Sequence, residues 1–127
     1  TVMQMGEDAE GFMGVMPYRY YYDTEGDAPM LKKIREMRPQ YQSTGYMQGF
    51  LAAMLFTEVA KRTLDAGKEL TSANMKAALD GIKDFDTGGL IGVPISIKGN
   101  SIPVGRIYRA DVKQKQMVPA SDWIVLK

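Results

Sequence analysis

The chain has 127 residues, of which 16 are basic and 15 acidic, and it contains neither Cys nor His. A net charge of +1 gives no electrostatic reason to expect nucleic acid or an acidic membrane surface as partner. The missing Cys and His remove thiolate nucleophiles, Cys- or His-ligated zinc and the Ser-His-Asp relay, so no catalytic group, metal or cofactor is expected of this segment.

Residues 7–10 are an acidic patch, followed by GFMGVMPYRYYY, in which Phe12, Met13, Val15 and Met16 read as a short buried strand stopped by Pro17. Pro17 withholds a backbone donor and favours an extended Met16, so the chain is expected to leave as a connecting strand. Tyr18, Tyr20, Tyr21 and Tyr22 then flank Arg19; such a cluster is either an aromatic wall for a ligand or a rim over a domain edge. Residues 23–27 are loop, with Asp27 expected to cap a short helix carrying Met30, Leu31, Ile34 and Met37 on one stripe and ended by Pro39. Lys32, Lys33, Arg35 and Arg38 read as its solvated basic face.

Residues 45–67, GYMQGFLAAMLFTEVAKRTLDAG, are apolar on nearly every face up to Thr57, which predicts a long central helix buried against several neighbours. Ser43 or Thr44 can cap it, Tyr46 sits in its first turn and Gly67 closes it. The first turn of such a helix offers unpaired backbone donors to an anionic or polar group, with Tyr46 as aromatic companion. A third helix follows, capped by Thr71, with Met75, Ala78 and Leu79 inward and Gly81 past its end; the two helices are expected to pack on one sheet. After Phe85 short β-rich runs take over. Ile95 and Ile97 alternate with polar residues before a Gly99-Asn100 turn, and residues 107–112 face Met117 and Val118 across a KQK connection. Gly88 and Gly89 mark a backbone position that a side chain would obstruct. The 10 Met residues read as adaptable core filler.

Three passages together resemble one family: EDAEGFMGVMPY (7–18), GYMQGFLAAMLFTEVAKRT (45–63) and KAALDGIKDFDTGGLIGVPISIKGN (76–100). Their order and spacing are similar to the C-terminal portion of the type I periplasmic solute-binding proteins that serve branched-chain amino acid ABC transporters. The resemblance implies an α/β fold of two three-layer αβα lobes joined by hinge crossover strands, with solute held in the cleft between them. On that footing the chain is expected to be the last third of a larger molecule. Residues 1–16 would end the second lobe and form a crossover strand, 17–104 would belong mainly to the first lobe, and 105–127 would cross back into terminal strands.

The function implied is a non-enzymatic, periplasmic receptor that delivers an amino-acid-like solute to an inner-membrane ABC permease. The alternative is a ligand-sensing domain of a receptor or regulator built on the same architecture. The family's main ligand-gripping residues are expected upstream, in the rest of the same protein, and any secretion signal would be removed or lie upstream as well. Within this chain the aromatic at the start of the long helix corresponds to Tyr46, the first expected ligand contact, with Tyr18 and Tyr20 near the hinge as second choices. A tyrosine hydroxyl at Tyr46 could favour a more polar or aromatic solute. Tyr41, outside that helix, is expected to matter less.

Overall fold

A computed structural model of the chain describes residues 2–24, 26 and 28–126. A 3-10 helix, Val2–Ala9, kinked at Gly6, leads into strand β1, Met13–Met16. Three helices follow, α1 (Pro29–Met37), α2 (Thr44–Asp65) and α3 (Ser72–Asp80), and then strands β2 (Val104–Asp111), β3 (Gln116–Pro119) and β4 (Ile124–Val125). All strand pairings are antiparallel and centre on β2, which takes β1 in the register Met13↔Arg109 to Met16↔Arg106, β3 in the register Tyr108↔Pro119 to Asp111↔Gln116, and β4 at Val104 and Gly105.

Local chemistry sets the helix ends. Asp27, the expected cap of α1, lies outside the described residues; the position before the helix is Ala28, and Pro29 supplies a preset φ at the first turn. The Met30 N–H donates to the Gly88 carbonyl at 2.9 Å, which satisfies one of the donors that every helix start leaves over. Gly88 has φ 65, and a Cβ there would lie 2.9 Å from Met30 Cβ, so the obstruction expected at the double glycine is real. Ser43 caps α2, its hydroxyl accepting from the Tyr46 N–H at 3.3 Å, and Thr71 caps α3 in the same way through Asn74 at 3.3 Å.

The core gathers Leu31 and Ile34 from α1, Met47 and Leu51 from α2, and Leu90, Ile91 and Ile95 from the irregular segment 82–104, with Tyr18, Tyr21 and Val104. Three sequence expectations change here. α2 is not buried all round: Met47, Leu51, Val59 and Thr63 are its buried residues, whereas Phe56 and Leu64 stand 64% and 57% exposed. The α2–α3 pair packs on itself and α2 on the 82–104 segment, not on the sheet, which gives the core cluster around these helices Val104 and, at its margin, Met16, and buries Tyr108 and Ala110 apart from that cluster. β1 forms as a strand but is not buried, because among the described residues it is paired only with β2 and turns Met13 and Val15 outward at 60% and 69% exposure.

Two smaller differences have local causes. Met37 is 53% exposed at the last turn of α1, past the contact made by Ile34. The Ile95–Ile97 alternation yields isolated bridges, Phe85↔Ile95 and Lys98↔Ser101, because Pro94 and Gly99 bracket a run too short for a ladder. The final hairpin forms as expected, with Arg109 opposite Val118 and Ala110 opposite Met117.

Candidate functional site

Pro17 ends β1, and the chain runs irregularly through Tyr18, Arg19 and Tyr20 before a turn at Tyr21 and Tyr22. The Arg19 N–H donates to the Leu90 carbonyl at 2.8 Å and the Arg19 Nε–H to the Gly89 carbonyl at 2.8 Å, so this segment is tied to the loop that also holds α1. A buried polar cluster fixes it on the other side. The Asp23 carboxylate accepts from Arg19 Nη1 at 3.2 Å and from the Tyr108 hydroxyl at 2.8 Å, and Arg106 Nη1 lies 3.7 Å from it. Both guanidiniums also lie over the Trp123 ring, at 5.7 and 5.6 Å from its centroid. Burial, then the neighbouring Asp23 charge, push the Tyr108 phenol far above its ordinary range, so Tyr108 remains the donor in this pair.

On this anchored segment the four tyrosines separate. Tyr18 and Tyr21 are buried, and the Tyr18 hydroxyl donates to the Thr44 carbonyl at 3.3 Å, linking the segment to the first turn of α2. The Tyr21 hydroxyl donates to the Arg38 carbonyl. Tyr20 and Tyr22 instead line a cavity of about 440 Å³ together with Tyr41, Thr44, Lys115 and Met117. That volume falls within the range of small-molecule sites, roughly 300–1,000 Å³. Tyr20 packs edge-on against Tyr108, with ring centroids 4.8 Å apart at 79°, and Tyr22 stacks with Tyr41 at 5.4 Å and 27°. Burial, then the neighbouring Tyr41 and Tyr18, raise the Tyr20 phenol above its ordinary value, and burial raises that of Tyr18.

The β2–β3 turn brings the cavity its cation. Asp111 accepts from the Gln114 N–H at 2.9 Å and from Gln114 Nε2 at 3.0 Å, contacts that hold its carboxyl below the usual carboxylate range, the backbone N–H being the larger cause. Lys115 follows in the left-handed region at φ 54, where a non-glycine residue is strained. Among the described residues, Lys115 is the one charged group in the cavity lining.

Of the three residues expected from the sequence, Tyr20 lines this cavity, and Tyr18 and Tyr46 do not. Tyr46 is half-buried against the core in the first turn of α2, and Tyr18 holds that turn from outside. Tyr41, expected from the sequence to matter less than Tyr46, lines the cavity, as does Lys115, which the sequence reading did not single out. The signal for Tyr41 was an aromatic residue in the otherwise polar stretch before α2; Lys115 had none beyond its place in a hairpin turn. Among the described residues, no group of His, Cys, Asp and Glu could hold a metal ion, and no helix is long and apolar enough to cross a membrane.

A family model described as periplasmic binding protein matches residues 1–116. The chain belongs to the periplasmic binding protein family. Comparison with curated proteins and with solved structures gave no match. The match covers nearly all of the chain and agrees with the resemblance carried by residues 7–18, 45–63 and 76–100, and the mixed helix and sheet are those of part of a periplasmic binding protein lobe. Membership in this periplasmic binding protein family points to solute binding and to an extracytoplasmic location.

Proposed function

We propose that this protein is the extracytoplasmic solute-binding component of an ABC transporter, holding an amino acid or a similar small polar or aromatic solute and delivering it to an inner-membrane permease. It acts by binding and closure and not by catalysis. The observation that carries this reading is the cavity at the Tyr20 segment, enclosed by the start of α2 and by the β2–β3 hairpin, in a chain of this family.

In this assignment residues 1–16 end the second lobe and cross between lobes, 17–104 belong mainly to the first lobe, and 105–127 cross back. The antiparallel pairing of β1 with β2 would set these two crossover strands side by side. Tyr20 contacts the solute directly. Tyr18 and Tyr46 serve the same site from the first turn of α2, Tyr18 through the Thr44 carbonyl and Tyr46 by seating that turn on the core.

A thermal-shift screen of the purified protein against amino acids and small polar aromatic solutes tests the proposal. A saturable rise in melting temperature with one solute class, abolished in Tyr20→Ala, is the expected result. A hit unaffected by Tyr20→Ala places the site elsewhere, and the absence of any hit contradicts solute binding.

A further inference from the structure

We propose that the solute of this cavity is a small aromatic carboxylate and not an α-amino acid, with its ring among Tyr20, Tyr22 and Tyr41 and its carboxylate on Lys115. The inference rests on the solute-binding reading above and names the ligand chemistry of the same site.

The charge pattern is the first argument. An α-amino acid brings an ammonium as well as a carboxylate, and burying that ammonium without an anion or a set of acceptors is costly. Among the described lining residues there is no Asp or Glu, and the acceptors offered by Ser43, Thr44 and Gln116 are neutral, whereas Lys115 supplies a cation that repels an ammonium and pairs with a carboxylate. Tyr20 adds no negative charge at neutral pH, where any phenol of ordinary value, about 10, is protonated; it presents a neutral hydroxyl that can donate to a carboxylate oxygen.

The aromatic walls are the second argument. The Tyr22–Tyr41 stack at 5.4 Å and the Tyr20–Tyr108 edge contact at 4.8 Å fix three lining rings from two elements distant in sequence. Rings so braced accept another ring by stacking or edge contact at little entropic cost, because they have few rotamers to lose. An aliphatic side chain would gain only area from the same walls.

The third argument is the strain at Lys115. Asp111 and Gln114 close a turn that leaves a lysine, not a glycine, at φ 54 and beside the cavity. Lys113 stands in the same turn and is outside the cavity lining, which makes it the internal control.

The test is calorimetric titration of the purified protein with benzoate, 4-hydroxybenzoate and phenylacetate, against phenylalanine and leucine. The expected result is binding of at least one aromatic acid more tightly than of either amino acid. Lys115→Gln should weaken it by about 10- to 100-fold, the loss of one charge-assisted hydrogen bond, while Lys113→Gln leaves it unchanged. Equal losses in the two lysine variants would reduce the effect to general electrostatics and overturn the assignment. Tyr20-dependent binding of phenylalanine or leucine, with no aromatic acid bound, overturns this inference and leaves solute binding standing. If none of the five compounds binds, the inference fails with the reading beneath it.

Discussion

Asp23 is the residue on which the Tyr20 segment depends, since one carboxylate meets Arg19, Arg106 and the Tyr108 hydroxyl with almost no solvent access. Removing one partner from a buried charge cluster is far costlier than removing a surface pair. Asp23→Asn should therefore destabilise the protein by about 3–5 kcal/mol, and Tyr108→Phe, which removes one neutral donor, by about 1–3 kcal/mol. Urea unfolding measures both, and equal costs would show that charge does not dominate the cluster. The tyrosines add a pH dependence. Tyr18, Tyr20 and Tyr108 have folded-state values raised above the unfolded value near 10, so their stabilisation is complete below about pH 10 and is lost as pH rises towards the folded values. Melting temperatures should hold from neutral pH to about 9 and fall above 10, more steeply than in Tyr108→Phe.

At the scale of elements, the legible features were those with local causes. Ser43, Thr71 and Gly81 sit at helix ends for reasons contained within four residues, and the KQK hairpin follows from a polar turn between apolar strands. What escaped the sequence was which face each element would bury. The apolar run at β1 and the apolar face of α2 read as buried, yet Val15 and Phe56 stand exposed because partners are chosen by tertiary packing. The one-stripe account of α2 predicts that Leu51→Ala costs about 2–5 kcal/mol, while Phe56→Ala stays within about 0.5 kcal/mol. A comparable cost for Phe56→Ala would mean that its face is covered. Ser43→Ala should cost about 1 kcal/mol by removing the acceptor for the Tyr46 N–H.

Considered as a whole molecule, the chain exposes 8040 Å² for 14.1 kDa, about a fifth more than the ~6,700 Å² of a compact monomer of that mass. That excess accords with a member of a two-lobed family whose helix α2 presents an apolar face. The family was readable because its three passages lie in order along the chain, whereas the cavity joins residues far apart in sequence. Tyr20 was reachable because it follows the strand exit directly. Tyr41 and Lys115 were not, because only the folded chain brings the approach to α2 against the β2–β3 turn. The central claim is that solute is held where these segments meet. The most direct measurement is chemical-shift mapping of backbone amides as the best-binding solute is titrated into the labelled protein. The account predicts the largest perturbations at residues 20–22, 41–46 and 115–117. Perturbations concentrated on the outer faces of α2 and α3, or none that saturate, would contradict it.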